Sequence, residues 1–256
     1  MLKRASQDDF LKIKALCENS VVGTRALCYI LAYGYDRPFL EIWLVLEDED
    51  LTGVIVKFYD DVTVVLADNA DSLQVKAFLE MFYYKSLMCT KKVSAILAAD
   101  NCIIKNGYRF TGEAGVNDAC YELDEEYYED AYSLIAHEIP GSFSSDKESY
   151  LSFLSDFTFR KRRNLARGVC MCINGVLSSV ALTSSETASS AIISGVACDR
   201  SLQKRGLGKT TVLNLVQKLK NENKEVFVIA LNESAEGFYE HIGFAKAEKI
   251  AFIERK

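Results

Sequence analysis

The sequence predicts two related α/β domains in one chain. Three observations lead to this fold class: strand pairs joined by short turns occur in both halves, strands alternate with amphipathic helices, and short segments recur in the same order in the two halves. A length of 256 residues is sufficient for two domains of ordinary size.

Composition restricts the classes of function. With 49% hydrophobic and 26% charged residues the chain is an ordinary globular protein, and its net charge of −6 argues against a general electrostatic attraction to nucleic acid or membrane. The sequence opens without an apolar signal segment, and no apolar run is long enough to span a bilayer. We therefore expect a cytoplasmic protein without nucleic-acid or membrane partners.

The eight cysteines and two histidines do not follow a metal-binding pattern. Cys170 and Cys172 are separated by one residue, which alternation along a strand explains, and His137 and His241 lie far apart. We predict reduced, mostly buried thiols and no metal.

The first half shows strand alternation, one helical stretch and turn signals. An acidic turn at 47–50 joins the first two strands. The predicted elements are strands at 39–46, 51–58, 62–66 and 93–98, a helix at 72–82, and a turn into a further strand at 106–108.

An acidic stretch separates the two halves. Residues 122–130 contain six acids in nine positions, and Pro140 and Gly141 follow. Such a run is typical of a solvated segment. We therefore predict domains over 1–123 and 141–256, joined by a linker over 124–140.

The second half repeats the plan with stronger signals. Ser144 or Ser145 is predicted to cap a helix that ends in the basic run 160–163, and Asn174-Gly175 predicts a tight hairpin turn. The apolar stripe of that helix is predicted to be Tyr150, Leu151, Leu154 and Phe157. The other predicted elements are strands at 168–173, 176–183, 191–198, 226–231 and 245–253 and helices at 210–220 and 234–241.

Short matches relate the two halves to each other and suggest an internal duplication. They pair 71–74 with 200–203, 92–97 with 225–230, and 106–108 with 242–244.

The most informative segment is the loop 203–210, Gln-Lys-Arg-Gly-Leu-Gly-Lys-Thr, between a predicted strand and a predicted helix. Glycines allow a ligand to approach the backbone, and a helix N-terminus presents unpaired N–H groups and the positive end of its dipole. Lys204, Arg205 and Lys209 add positive charge. The loop is therefore predicted to hold a pyrophosphate.

Spacing distinguishes three phosphate-binding motifs. A P-loop needs a glycine at position 203, which is Gln, and a dinucleotide fingerprint needs one at position 211, which is Thr. The third pattern, Gln/Arg-x-x-Gly-x-Gly/Ala, is satisfied by Gln203, Gly206 and Gly208.

This loop resembles the coenzyme A pyrophosphate loop of the GNAT N-acetyltransferase superfamily. The segment 232–244 is similar to the family's N-x-x-A-x-x-F-Y-x-x-x-G-F sequence, with Asn232, Phe238 and Tyr239 at matching positions. The order of elements over 126–256 also fits the family. The resemblance implies that each domain has a mixed, largely antiparallel central sheet flanked by helices.

The resemblance further implies an acetyl-CoA donor and direct attack of an amine on the thioester, without an acyl-enzyme. It places Tyr239 as the general acid for the departing thiolate. The residues that it implies for donor binding are Val196, Ala197, Cys198, Gln203, Lys204, Arg205, Gly206, Leu207, Gly208, Lys209, Thr210, Asn232 and Phe238.

The general base is less evident, because the central strand carries no acid before Asp199. Glu186, in the turn 184–187, is the candidate base, and a solvated turn acid is the alternative interpretation. A covalent role for Cys198 is a further alternative, although no histidine is near it in sequence.

The first half resembles a degenerate copy of the second. Where the glycine loop is expected it reads Gln-Val-Lys-Ala-Phe-Leu at 74–79, so both glycines are missing, and Phe78 and Leu79 are expected to fill the phosphate space. We predict that this domain does not bind coenzyme A and either walls off the acceptor cleft or packs structurally.

The resemblance implies an N-acetyltransferase that modifies a small-molecule or peptide amine, as a monomer or homodimer. The alternatives are a coenzyme A-binding regulatory module without transfer activity and a nucleotide hydrolase, which Gln203 disfavours. The acceptor depends on the shape of its cleft, which the sequence does not specify.

Overall fold

The computed structural model describes residues 1–97, 102–115 and 119–255. These divide into two compact units, each built from separate stretches of the chain. Unit 1 comprises Met1–Tyr108, Ile229–Glu236 and Lys246–Lys256, and unit 2 comprises Arg109–Val228 and Gly237–Ala245.

Unit 1 contains the first ten elements of the chain and most of the last strand. In chain order they are β1 (Leu2–Arg4), α1 (Phe10–Cys17), α2 (Val21–Tyr33), β2 (Leu40–Glu47), β3 (Asp50–Phe58), β4 (Asp61–Leu66), α3 (Ser72–Glu80), β5 (Ser86–Thr90), α4 (Lys91–Ile96), β6 (Cys102–Phe110) and, from the C-terminus, β12 (Phe244–Glu254).

The sheet of unit 1 has the strand order β1-β2-β3-β4-β5-β12-β6. The pairs β1–β2, β2–β3, β3–β4 and β5–β12 are antiparallel, and β4 with β5 is parallel, with Asp61 opposite Ser86. Helices cover both faces: the side chains of α1 and α2 pack on one face, and those of α3 and α4 pack on the other.

Unit 2 contains the remaining elements. They are β7 (Tyr121–Glu122), α5 (Tyr128–Glu138), α6 (Lys147–Lys161), β8 (Gly168–Ile173), β9 (Val176–Glu186), β10 (Ser190–Cys198), α7 (Leu207–Asn221), β11 (Glu225–Ile229) and the C-terminal part of α8 (Glu233–His241).

The sheet of unit 2 has the strand order β11-β10-β9-β8-β7, antiparallel except for the pair β10 and β11. The predicted tight turn is confirmed, because Asn174 (φ 53°) and Gly175 (φ 80°) both adopt the left-handed conformation of a type I′ hairpin. The periodicity of α7 predicts that Val212, Leu213, Leu215, Val216 and Leu219 face inward. All of these are buried except Leu213, which is partly exposed.

The predicted duplication is present in the order of the elements. From β1 to β6 and again from β7 to β12 the chain reads strand, two helices, three strands, helix, strand, helix, strand. The single parallel pair also recurs, as β4 with β5 and as β10 with β11. Both sheets are therefore mixed and largely antiparallel, as expected.

The predicted linker over 124–140 is instead structured. Residues 125–127 form a short 3-10 turn and α5 follows at once. Tyr128, Ala131 and Ile135 of α5 are buried in the core of unit 2. The acidic side chains occupy the exposed positions around them, which is why composition alone suggested a solvated segment.

The strand predicted over 93–98 is helix α4, apart from Ala98, which lies outside the described residues. Thr90 caps this helix by accepting a hydrogen bond from the Val93 N–H at 3.3 Å. The strand that corresponds to β11 is β5, so the sequence match of 92–97 with 225–230 paired a helix with a strand and was wrong.

The turn predicted at 106–108 lies inside strand β6. A Cβ at Gly107 would lie 3.3 Å from the Glu248 carbonyl oxygen, so the glycine permits a close approach within a strand. The predicted cap of α6 is wrong, since Asp146, and not Ser144 or Ser145, caps the helix by accepting from the Ser149 N–H at 2.8 Å. Leu151, predicted to lie on the apolar stripe of α6, is half exposed.

Sequence patterns predicted no element before residue 39, where the structure has β1, α1 and α2. Most residues of α2 are buried, so its hydrophobicity is not confined to one face. Gly23 allows α2 to pack on the end of α1, because a Cβ there would lie 2.0 Å from the Cys17 carbonyl oxygen.

No helix in the described part of the chain is long and apolar enough to cross a membrane. Within 1–97, 102–115 and 119–255, no group of three or more His, Cys, Asp or Glu residues is arranged to hold a metal ion. All eight cysteines are free thiols, and Cys17, Cys28, Cys89 and Cys170 are buried.

Candidate functional site

The central strand of unit 2, β10, is irregular in its second half. Its pairing with β9 shifts register between Ser194 and Ala197, which marks a β-bulge that includes Val196. Gly195 in the bulge has φ 53°, and a Cβ there would lie 3.1 Å from Ile135 of α5. A larger residue would therefore be strained and would push against α5.

The bulge coincides with the end of the pairing to β11. That parallel pairing runs from Ser190 opposite Glu225 to Ile193 opposite Val228, and it extends no further among the described residues of unit 2. The rest of β10, to Cys198, is paired with β9 alone in this unit. One edge of the strand is left open there.

Backbone groups at the end of β10 point alternately to β9 and to the open edge. The Asp199 N–H donates to Ser178 O of β9 at 2.9 Å, and the Ala197 carbonyl accepts from Ser179 Oγ at 3.2 Å. Because strand residues alternate, the N–H and C=O of Cys198 face the open edge. Of the three predicted strand residues, Cys198 therefore offers its N–H to a ligand and Ala197 does not.

The loop after β10 ends in a helix N-terminus that has no side-chain cap. Gly206, the N-cap of α7, has φ 87°, and no side chain there bonds the first turn. A Cβ added at Gly206 or at Gly208 would meet nothing within 4 Å. The first N–H groups of α7 therefore face a space that side chains do not fill, which suits an anion. Thr210 is excluded from this set, because its N–H donates to Gly206 O at 2.9 Å.

The predicted cations surround this helix start. Lys204, which adopts φ 61°, Arg205 and Lys209 are exposed, and none of them forms an ion pair with a carboxylate among the described residues. Leu207 is buried below the loop. Three cations beside the positive end of a helix dipole form a site for a polyanion.

Gln203 does not direct its amide at this space. Its Nε2 donates to the Cys198 carbonyl oxygen at 3.1 Å and lies 3.4 Å from Glu138 Oε2 at the end of α5. The side chain of the first motif residue therefore supports the strand end and the loop. Sequence reasoning missed Glu138, which lies 65 residues away in the chain.

A buried hydroxyl chain lies beneath the loop and was also not predicted. Thr211 Oγ1 and Ser179 Oγ are 3.0 Å apart, and Ser179 Oγ donates to the Ala197 carbonyl oxygen. Both residues are fully buried. The chain fixes the first turns of α7 to β9 and β10, and its sequence signal is two polar residues at otherwise apolar core positions.

The Cys198 thiol lies beside the first turn of α7. Burial, followed by the charges of Asp199 and Glu138, raises the pKa of the Cys198 thiol, although hydrogen bonds from the Gly208 N–H and Ser179 oppose the shift. A thiol with a raised pKa remains neutral and is a poor nucleophile. The covalent alternative for Cys198 is therefore disfavoured.

Tyr239 lies in the part of α8 that belongs to unit 2. Its ring is buried and contacts Phe238 and Phe244, with ring centroids 5.3 Å and 5.5 Å away. Burial raises the pKa of Tyr239 to about 12, so the phenol keeps its proton at neutral pH. A phenol that stays protonated can act as a proton donor.

Asn232 belongs to unit 1. Its Oδ1 accepts from the Ala235 N–H at 3.0 Å and so caps helix α8. The implied contact of Asn232 with a pantetheine arm stays a prediction.

Glu186, the candidate base, does not lie near the open edge of β10. Register places it opposite Ala191, at the beginning of β10, whereas Cys198 ends that strand. The carboxylate is fully buried and contacts Arg167 at 2.9 Å and Lys224 at 2.8 Å. Because its oxygens are committed to two cations, it is neither the predicted base nor a solvated turn acid.

The corresponding place in unit 1 is built differently. Strand β4 pairs with β3 without a bulge, and α3 is capped by Asp71, whose Oδ1 accepts from the Gln74 N–H at 3.0 Å. A carboxylate thus occupies the helix N-terminus where an anion would bind. The predicted obstruction by Phe78 and Leu79 is wrong in detail, since α3 begins before Gln74 and these side chains pack in the core.

Two adjoining surface grooves of about 590 and 650 Å³ lie elsewhere in unit 2. They run along α6 and share Glu125, Tyr128, Thr158 and Arg162. No residue of the loop 199–210 lines either groove, so we do not assign the donor to them.

Comparison with known proteins relates part of the sequence to a family model. Residues 175–253 match the family model described as FR47-like protein, and this range covers strands β9, β10 and β11, the loop and helices α7 and α8. No curated protein matches the sequence.

Solved structures of the GNAT family are similar over the whole chain. An acetyltransferase from the GNAT family of Colwellia psychrerythraea is 13% identical with a TM-score of 0.63, each chain being covered completely. A tandem GNAT protein from the clavulanic acid biosynthesis pathway is 13% identical with a TM-score of 0.64, over 99% of this chain and 98% of that one.

A GCN5-related N-acetyltransferase from Sphaerobacter thermophilus is 13% identical with a TM-score of 0.61, over 99% of this chain and 95% of that one. At such identity these likenesses show the fold alone. The chain has the GNAT acetyltransferase fold, which confirms the resemblance drawn from the loop and from segment 232–244.

Proposed function

We propose that this GNAT-fold chain transfers an acetyl group from acetyl-CoA to a primary amine, with unit 2 holding the donor. One observation carries the proposal. The N-terminus of α7 has no side-chain cap, lies beside two glycines and three cations, and follows strand β10, whose last residues do not pair with β11. Acetyl-CoA carries a pyrophosphate and a thioester on one flexible arm. The helix N-terminus suits the pyrophosphate, and the open strand edge suits the thioester.

Donor binding follows from the backbone. The N–H groups of Leu207 and Lys209 would bind the pyrophosphate, Gly208 would leave room for it, and Lys204 and Arg205 would supply charge. The Cys198 N–H, at the open edge of β10, would polarise the thioester carbonyl. Phe238, on the part of α8 that belongs to unit 2, would pack near the donor.

The reaction is a direct displacement. A neutral amine attacks the thioester carbonyl, a C–N bond forms, the tetrahedral oxygen takes the negative charge, and the C–S bond then breaks. The departing thiolate takes the phenolic proton of Tyr239, and the product ammonium releases its extra proton to water, which restores Tyr239 through solvent. No residue forms a covalent intermediate.

A coenzyme A-binding regulator without transfer activity is the second candidate. It is favoured by the position of Glu186, because the one acid predicted as a base is fixed in a buried ion network. The two candidates share the donor site and differ only in turnover.

Thermal unfolding of the whole chain tests the donor site. A ligand at about one hundred times its dissociation constant stabilises the native state by about 2.7 kcal/mol, which raises the midpoint clearly. We expect a rise with acetyl-CoA and none with ATP-magnesium or NAD. No rise at millimolar acetyl-CoA would contradict both candidates.

Thiol release from acetyl-CoA across a panel of small-molecule and peptide amines then separates the two. Amine-dependent release supports the transferase, and binding without release for every amine supports the regulator. A cytoplasmic location and a monomeric or dimeric state remain part of the proposal.

A further inference from the structure

We infer that Glu138 is a positioning residue for the donor loop, acting through Gln203 on the end of β10. This inference rests on the proposed function, because the loop is the segment assigned to acetyl-CoA. It adds a residue that lies outside the loop motif, on helix α5.

The burial of Glu138 shows that its carboxylate is committed to partners. Its side chain is only 6% exposed. A carboxylate in such a position needs hydrogen-bond donors or cations to offset its lost hydration. Two of its partners come from the loop, and the third is the exposed His137, whose Nδ1 lies 3.1 Å away.

The contacts of Glu138 with the loop involve both carboxylate oxygens. Oε1 accepts from the Arg200 backbone N–H at 3.4 Å, and Oε2 lies 3.4 Å from Gln203 Nε2 and 3.8 Å from Arg200 Nε. Gln203 Nε2 is shared with the Cys198 carbonyl oxygen at 3.1 Å. The carboxylate, the amide and the strand end therefore form one connected path.

The location of this charge is unfavourable for α5 by itself. A negative side chain at a helix C-terminus opposes the helix dipole. A negative charge near a loop that binds a polyanion also weakens that binding. Helix stability therefore does not explain the carboxylate at this position. Its contacts with Arg200 and Gln203 do, because they hold the start of the loop in place in the absence of the donor.

Hydrogen exchange on the ligand-free full chain tests the positioning role without any donor. Within 199–209 of Glu138→Ala we expect the hydrogen-bonded amides of Asp199, Ser201 and Leu202 to exchange about tenfold faster, because one hydrogen-bonded anchor of the loop is lost. Glu129→Ala is the matched control, since it removes the same charge from the exposed start of the same helix and should leave the loop unchanged. Unchanged exchange over 199–209 in Glu138→Ala would overturn the inference.

A double-mutant cycle on acetyl-CoA affinity tests the path through Gln203. Glu138→Ala and Gln203→Ala should each weaken binding about five- to tenfold, and the double variant should be no weaker than the worse single one. If the double variant binds acetyl-CoA more weakly than either single variant, by the product of the two single effects, the proposed path through Gln203 is overturned. If the wild-type chain does not bind acetyl-CoA, the proposed function fails, while hydrogen exchange still decides the role of Glu138.

Global destabilisation has its own control. Should Glu138→Ala lower the unfolding midpoint of the whole chain, Gln203→Leu is measured in its place, because it removes the partner amide at an exposed position and should lower the loop protection in the same way. Glu138→Gln keeps an acceptor for Gln203 and should restore most of the loop protection. Protection as low as in Glu138→Ala would overturn the hydrogen-bond path.

Discussion

Glu186 Oε2 lies 2.8 Å from Lys224 Nζ, and both side chains are removed from solvent. Arg167 adds a second cation at 2.9 Å, and the Thr183 hydroxyl donates to the same carboxylate at 2.7 Å. The network joins the ends of β9 and α7 to the start of β8. Its role is therefore structural.

Replacing Glu186 with Ala should destabilise unit 2 by about 3–5 kcal/mol, because two cations would lose their buried partner. Urea unfolding followed by circular dichroism measures this. A general base would behave differently, with a large loss of turnover at unchanged stability. That result would return Glu186 to the mechanism.

Acid should weaken the same network through Glu222. A hydrogen bond from Arg167, with further help from Lys224, lowers the pKa of Glu222 from its ordinary 4.5 to about 2. A depressed pKa contributes stability that is present above pH 4.5 and lost as the pH falls through about 2. Since Glu222 is half exposed, the contribution is small.

Urea midpoints of the wild type and of Glu222→Gln between pH 6 and pH 2 measure the contribution of Glu222. The two proteins should differ at pH 6, and the difference should shrink below pH 4.5 and become smallest as the pH reaches about 2. A constant difference over the whole range would contradict the assignment.

Tyr239→Phe should lower turnover about a hundredfold with little change in acetyl-CoA affinity, because the ring remains and only the proton donor is lost. Amine-dependent thiol release and calorimetry measure the two quantities. Since the pKa of Tyr239 is about 12, the wild-type rate should not decline up to about pH 10 through loss of this proton. Equal turnover in the variant would remove Tyr239 from the mechanism.

Gly208→Glu should abolish acetyl-CoA binding with little effect on folding. A Cβ at Gly208 would meet nothing within 4 Å, so a glutamate side chain built from it would extend into the anion space and carry a negative charge there. Gln217→Glu adds the same charge further along α7 and is the control. Retained affinity in Gly208→Glu would contradict the loop assignment.

The isolated segment 1–123 should fail to fold cooperatively. In the full chain β5 pairs with β12, with Leu87 opposite Ile253, and Ala251 and Ile253 fill the core of unit 1. A chain that ends at residue 123 leaves that edge and that core exposed. Circular dichroism during urea titration tests this, and a cooperative transition would contradict it.

Two aspartate substitutions in β12 of the full chain, one at a buried position and one at an exposed position, test the contribution of this strand to the core of unit 1. Ala251→Asp places a charge at a fully buried position and should lower the urea midpoint strongly. Lys249→Asp, two residues earlier on an exposed position of the same strand, should change it little. Equal effects would show that β12 contributes no core to unit 1.

The loop around Gly206 was predictable because its signal is local. Glycine spacing, flanking cations and an amphipathic helix lie within one short segment. The structure has a left-handed Gly206 there and begins α7 at Leu207, three residues before the predicted start at Thr210. The type I′ turn at Asn174-Gly175 is local in the same way. Helix α4 shows the limit, because Val93 and its apolar neighbours suit a strand or a helix and the Thr90 cap decided between them.

The sequence by itself therefore determined the alternation of strands and helices, the repeated order of the two halves and the glycine-containing loop before α7. Tertiary structure decided the surroundings of Glu186, the bond between Gln203 and Glu138, and the inclusion of β12 in unit 1. The physical reason is range. Propensity and spacing act within a few residues, whereas burial, ion pairing and strand order depend on groups that only folding brings together.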